Sequence, residues 1–192
     1  MSDPTSAKQR MRDVHGAARR RLKADPLAKA KLDRAIVTHT RACIAHFNAA
    51  ARPIAVYNPL PSEPGPTDFA AQLAASASAV WLPISLPGGA LAWSLHDGAT
   101  APGALGITEP TGARFNSNVL RSCAMVIVPA LAVDHQHMRL GKGAGYYDRA
   151  LAGLSVPVAA VVFDQEFVQH VPHEPHDVPV DAVITPQGFF VV

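Results

Sequence analysis

Met125-Val-Ile-Val128 and, eleven residues on, Arg139-Leu-Gly-Lys-Gly-Ala-Gly-Tyr-Tyr-Asp148 decide how this chain is read. The first segment is apolar at consecutive positions, the mark of a strand buried on both faces of a parallel sheet. The second opens the helix predicted over Tyr146–Leu154. A loop between strand and helix lies at the carboxyl end of the sheet, where α/β folds bind ligands. Gly141, Gly143 and Gly145 alternate, so the backbone can turn several N–H groups toward one anion, and Arg139 and Lys142 add positive charge. The spacing is not the dinucleotide fingerprint, because Tyr146 stands where the third glycine would fall. It is not a Walker A loop either, because Gly143 follows Lys142. The physical reading is a phosphate-binding loop, with a purely structural glycine turn as the alternative. Asp148 suits a Mg²⁺ ligand or a helix-start charge, and spacing does not choose between them.

Outward from this point the chain alternates strands and helices. A helix is predicted over residues 5–23, capped by Thr5 or Ser6, with Lys8, Arg12, Arg19 and Lys23 on its polar side. Asp25-Pro26 starts a second helix running to about Asn48, with Leu32, Ile36, Ile44 and Phe47 as its inner stripe. Pro53–Tyr57 reads as a strand, Asn58–Pro66 as a proline-rich loop, and Phe69 to about Ser76 as a short helix. Val80–Leu82 and Ala90–Leu95 are strands around a Pro-Gly-Gly turn. Residues 97–118 show no period, and connections of that length are usually functional or mobile. Val156–Phe163 and Val180–Ile184 complete the strands. The fold class expected is α/β, a mainly parallel sheet with helices on both faces. At 192 residues the chain is read as one domain, its basic helical part (1–52) packed on the sheet, since fifty residues alone make a poor core.

Composition narrows the function classes. Hydrophobic residues make up 48% and charged residues 17%, which argues against disorder. The longest strongly apolar run, Met125–Val133, is far short of the ~20 residues of a membrane span. The polar, basic N-terminus has no apolar leader segment, and two cysteines, Cys43 and Cys123, are too few for a disulfide framework. A cytoplasmic protein with reduced thiols is expected. The net charge of +2 hides an asymmetry: residues 1–52 carry +8 and residues 53–192 carry −6. A basic segment of this kind marks nucleic-acid contact, an anionic ligand within the same chain, or a solvated helix face.

The motifs together resemble one family. Val128-Pro-Ala-Leu-Ala-Val-Asp134 followed by Arg139–Arg149 is similar to the signature of 5-formyltetrahydrofolate cyclo-ligases. Lys8 and Arg12 match that family's opening basic helix. Tyr57-Asn-Pro-Leu-Pro-Ser-Glu63 matches its strand-then-glutamate segment, and Glu174-Pro-His-Asp177 through Thr185 its closing strand. The departures are Ala130 and Val133, where Gly and Phe are usual, and His135-Gln-His137, which replaces a stretch that often holds Gly. Ala144 fills a variable place.

The resemblance implies a three-layer sandwich of the NagB/RpiA/CoA-transferase type. It implies conversion of 5-formyltetrahydrofolate, with ATP and Mg²⁺, to 5,10-methenyltetrahydrofolate, ADP and phosphate. It assigns ATP to Lys8, Arg12 and the run Arg139, Leu140, Gly141, Lys142, Gly143, Ala144, Gly145, Tyr146 and Tyr147. It assigns the folate to Asn58, Glu63, Lys142 and Tyr146, and Mg²⁺ to Asp148 and Asp177. The expected partners are these small molecules, with no nucleic acid and no membrane, and nothing demands more than a monomer. The alternative is a nucleotide- or RNA-binding member of the same fold without ligase activity, or a diverged enzyme with another formylated substrate. Two histidine patterns, His135/His137 and His170/His173/His176, carry no expected metal site: Pro172 and Pro175 argue against a helix, so the second set is read as extended and not convergent. Trp81 and Trp93 are read as core or pocket lining.

Overall fold

The computed structural model describes residues 4–103, 108–174 and 177–191. Thr5's side chain, and His176 of the predicted His170/His173/His176 set, lie outside them. Helix α1 (Pro4–Lys23) already begins at Pro4, so Ser6 is not its cap; the Ser6 hydroxyl accepts a bond from Arg10 instead. Helix α2 (Pro26–His46) starts as predicted, with the Asp25 carboxylate accepting from the Ala28 amide and Pro26 in the first turn. Then follow β1 (Pro53–Val56), α3 (Phe69–Ala74), β2 (Ala79–Ser85), β3 (Leu91–Leu95), β4 (Thr100–Pro102) and β5 (Thr108–Pro110). The remaining elements are β6 (Met125–Pro129), β7 (Ala132–Asp134), β8 (Arg139–Leu140), α4 (Tyr146–Leu151), β9 (Val158–Val161), β10 (Phe167–Val168), β11 (Ala182–Thr185) and β12 (Gly188–Val191).

The main sheet has seven strands in the order β12-β11-β9-β6-β1-β2-β3. The five central strands are parallel, and β3 and β12 are antiparallel edges. Alternation along each strand sorts side chains into two cores. Ile54, Val56, Met125, Ile127, Ala159 and Val161 pack with Ile36 and Ile44 of α2 and Phe69 and Leu73 of α3. Ala55, Val126, Val128, Ala160 and Val183 face the other way, onto Ala150 of α4 and Leu120. The predicted layers, helices on both faces of a mainly parallel sheet, are therefore present. Trp93 is fully buried, and Trp81 is partly buried and meets Phe115 edge to face.

Short pairings were not visible in the sequence. Strands β10, β7 and β8 form a second sheet, β4 and β5 a hairpin within the aperiodic 97–118 stretch, and β12 closes the main sheet. Segments of two to four residues give periodicity too few positions to register. Helix α1 rests on two supports: Leu22 packs with the α2 core, and Met11 packs on a small cluster of Ala132, Met138, Leu140 and Val171. Arg19, predicted on the polar face, is instead 3% exposed and forms a two-pronged ion pair with the fully buried Glu166 at 2.6 and 2.7 Å. Arg19 also donates to the Ala130 carbonyl, so α1 is locked to the segment leaving β6.

Candidate active site

Beyond the carboxyl ends of β1 and β6, Glu63 and the glycine loop face each other across a cavity of about 140 Å³. Asn58, Glu63, Arg139, Lys142, Tyr146 and Asp148 line it. Glu63 is carried by the proline-rich loop, and that loop is tied to α2. The buried pair Lys29–Asp33 (2.6 Å) brackets Gly65, whose amide donates to Asp33 Oδ1 (3.1 Å) and whose carbonyl accepts from Lys29 Nζ (3.3 Å). The Tyr57 hydroxyl donates to the Pro64 carbonyl. Burial pushes the Tyr57 phenol well above its ordinary value, so it stays a donor at neutral pH. Glu63 is 4% exposed; its Oε2 accepts from the Leu60 amide (2.8 Å) and its Oε1 pairs with Lys142 Nζ at 2.6 Å. Asn58 donates to the Thr108 carbonyl, which sets β5 against the same mouth.

The glycine loop is built by its backbone. Gly143 (φ +99°) and Gly145 (φ +67°) occupy conformations that L side chains rarely adopt. The Arg12 guanidinium lies along the loop, 3.4 Å from where a Cβ on Gly143 would stand, so it is the positive φ rather than space that calls for glycine there. Arg12 Nε donates to the Gly141 carbonyl at 3.1 Å. Arg149, which sequence reasoning left out of the site, is the loop's clasp. It donates to the Gly89 carbonyl at 2.9 and 2.6 Å and to the Ala144 carbonyl at 2.7 Å, joining the β2–β3 turn to the loop. Its position inside the quoted signature was the available signal.

A second cavity, of about 590 Å³, adjoins the first at Arg139 and Asp148 and reaches Asp177. Asp148 pairs with Arg139, and Lys8 Nζ lies 3.2 Å from Asp177 Oδ2 and 3.9 Å from Glu174 Oε2. The predicted residues are thus brought together, with two refinements. Leu140 is 2% exposed, and its side chain packs in the small α1-facing cluster rather than toward a ligand. Tyr147 packs into both main cores, and burial, with Glu63 nearby, raises its phenol far above the ordinary value. Each of the three predicted acids pairs with a cation: Glu63 with Lys142, Asp148 with Arg139 and Asp177 with Lys8.

The histidines depart from expectation. His137 is buried with Nδ1 3.1 Å from the Val180 carbonyl, and the His135 ring meets Phe167 at a tilt, so this pair does not converge on a shared ligand. His170 and His173 do converge, their rings 5.7 Å apart beside Asp134, contrary to the extended, divergent arrangement expected. The rings meet although residues 170–174 form no helix.

The family model of the 5-formyltetrahydrofolate cyclo-ligase family matches residues 4–186. The chain belongs to that family. Family membership makes it an enzyme of the cyclo-ligase class. A 5-formyltetrahydrofolate cyclo-ligase of Mycolicibacterium smegmatis is 35% identical over 155 residues, 77% of this chain and 80% of the relative. The Escherichia coli K12 cyclo-ligase is 35% identical over 65 residues, 32% of this chain and 36% of the relative. In fold, the chain is similar to the 5,10-methenyltetrahydrofolate synthetase of Aquifex aeolicus (TM-score 0.72, 22% identity, 98% of this chain and 92% of that one). It is also similar to that of Mycoplasma pneumoniae (TM-score 0.68, 19% identity, 95% and 98%). Among the described residues no helix is long and apolar enough to cross a membrane.

Proposed function

We propose that this cyclo-ligase converts 5-formyltetrahydrofolate and ATP, with Mg²⁺ as cofactor, to 5,10-methenyltetrahydrofolate, ADP and phosphate. The observation that carries the reading is Lys142: it sits on the glycine loop yet reaches Glu63 on the opposite wall, so both substrates meet at one residue. Lys8, Arg12, Arg139 and the loop amides from Gly141 to Gly145 face the polyphosphate. Glu63 accepts from the pterin's amino and ring N–H groups, which need partners once buried. Asn58 and Tyr146 border the pterin, and Lys142 stands beside the formyl group.

The formyl oxygen attacks the γ-phosphorus and ADP departs, leaving a phosphorylated imidate on the folate. N10 then attacks the activated carbon, loses its proton, and phosphate leaves as the ring closes. An amide oxygen is too poor a leaving group without this activation. The chain supplies positioning and charge neutralisation, the main levers in phosphoryl transfer. Asp148 and Asp177 fit Mg²⁺ because both carboxylates line one cleft beside the glycine loop, a hard oxygen set that leaves room for water and phosphate ligands. Held by these two carboxylates, the ion would supply positive charge against the phosphates. The basic helix supports this reading over nucleic-acid binding: Lys8, Arg12 and Arg19 all turn inward onto the chain's own groups.

The test is ultraviolet absorbance of the purified protein with (6S)-5-formyltetrahydrofolate and MgATP. Growth of the conjugated methenyl band, dependent on ATP and lost in Asp148→Ala, is expected. No band, with ATP binding retained in a parallel titration, overturns the assigned substrate.

A further inference from the structure

Behind the proposed active site, at the end of β7, Asp134 is a fully buried carboxylate with three backbone donors. Oδ1 accepts from the amides of Gln136 and Met138, both at 2.9 Å, which fills its two lone-pair directions. Oδ2 accepts from the Val171 amide at 2.8 Å and keeps one direction open. The Nδ1 of His170 lies 3.9 Å from that oxygen. Among the described residues it is the one ionisable partner within salt-bridge range of a carboxylate that is otherwise without a countercharge.

His173 completes the group. Its Nδ1 lies 2.9 Å from the Val171 carbonyl. A carbonyl only accepts, so Nδ1 carries the proton and Nε2 keeps the lone pair. That arrangement, one imidazole nitrogen tied to a backbone carbonyl and the other left to coordinate, is the usual outer-sphere partner of a metal-binding histidine. One ligand atom from each of Asp134, His170 and His173 lies within 4.8 Å of the others. A tetrahedral ion with bonds of about 2.0–2.1 Å sets its ligands roughly 3.4 Å apart. The closure needed is at most about 1.4 Å, and the largely exposed His170 side chain is free to supply it.

We propose that Asp134, His170 and His173 form a binding site for a first-row divalent ion that favours imidazole, of the Zn²⁺, Co²⁺ or Ni²⁺ class. It is separate from the acidic pair assigned to Mg²⁺ and does not rest on the catalytic reading. Two imidazoles and one carboxylate select against Mg²⁺, which prefers an all-oxygen shell. The ion would bridge the end of β7 to the 170–173 segment, and so brace the chain that leads on to Asp177.

The test uses the full-length, chelator-stripped protein titrated with Co²⁺ in millimolar Mg²⁺, read by calorimetry and by visible absorption. One equivalent is expected to bind. His170→Gln and His173→Gln should each weaken it at least tenfold, while the neighbouring His135→Gln and the cleft variant Asp148→Asn leave it unchanged. Zn²⁺ should raise the thermal midpoint of the wild type and not that of the His170→Gln/His173→Gln double variant. Both histidines are at the surface, so these variants fold; Asp134→Asn is avoided because its oxygens hold three amides. Binding that survives the double variant, or that is lost with Asp148→Asn or His135→Gln, overturns the site, as does no binding at all.

Discussion

The contact between Lys142 and Glu63 defines the chemistry at the scale of single residues. The pair spans 2.6 Å with Glu63 buried, and on the proposed reading it holds the lysine off the polyphosphate until a folate takes over the glutamate. Lys142→Ala should lower kcat by roughly 100–1000-fold, the usual cost of removing one donor from a developing anion, in single-turnover absorbance traces. Glu63→Gln keeps the shape and loses the charge; it should raise the KM for the folate and leave the ATP dissociation constant within about twofold in calorimetry. An equal loss of affinity for both substrates would move Glu63 out of the folate side. The same logic covers Lys8, paired with Asp177 at 3.2 Å. Lys8→Ala should weaken ATP binding yet tighten binding of Mg²⁺ alone, because the ion no longer competes with an ammonium for the carboxylate. The two cysteines lie outside this chemistry. Burial pushes Cys43 up to about 12 and Cys123 up to about 11, so neither is a thiolate at neutral pH, and both should react with a disulfide reagent only after unfolding.

At the scale of elements, α1 is useful only while it is held in place. The Arg19–Glu166 pair, buried on both sides, fixes the helix, and Lys8 and Arg12 lie on the turns that precede it. Arg19→Met leaves Glu166 charged and unpaired in the core, a change that typically costs about 3–5 kcal/mol, measurable by urea denaturation. The glycine loop depends on backbone shape in the same way. Gly145→Ala must adopt φ +67° and place a methyl 3.0 Å from the Arg149 guanidinium, so it should release the clasp between the loop and the β2–β3 turn. The expected reading is a raised KM for ATP at nearly unchanged folate KM in steady-state assays.

Across the whole molecule, Arg19 ties α1 to the segment between β6 and β7 at Ala130 and to Glu166 just before β10, with His15 in electrostatic reach of Arg19 and Glu166. Burial lowers the His15 pKa; Glu166 works against that shift and Arg19 adds to it. The unfolded chain therefore binds the His15 proton more tightly than the native one. Stability is full above the ordinary histidine value of about 6.5 and falls as pH drops through it toward the lowered native value. Thermal midpoints between pH 8 and 5 should fall less steeply for His15→Gln than for the wild type. A parallel fall in both proteins would assign the pH dependence to other groups.

The parallel α/β core was legible in the sequence because Met125–Val128, Val158–Val161 and Ala182–Ile184 are consecutive apolar runs, which only a two-sided sheet buries. The turn between Arg139 and Asp148 was legible because closely spaced glycines mark backbone that L side chains rarely adopt, as Gly143 and Gly145 do. Tertiary structure alone decided which charge meets which. Arg19 and Arg12 look alike on a helix wheel, yet one ends in the core on Glu166 and the other on the loop. It decided the clasp of Arg149 on Gly89, sixty residues away, and the meeting of Asp134 with His170 and His173. Periodicity records which face of an element is buried. It carries no record of which distant element arrives there, because that follows from strand order and loop closure, and these bring together side chains with no local signature.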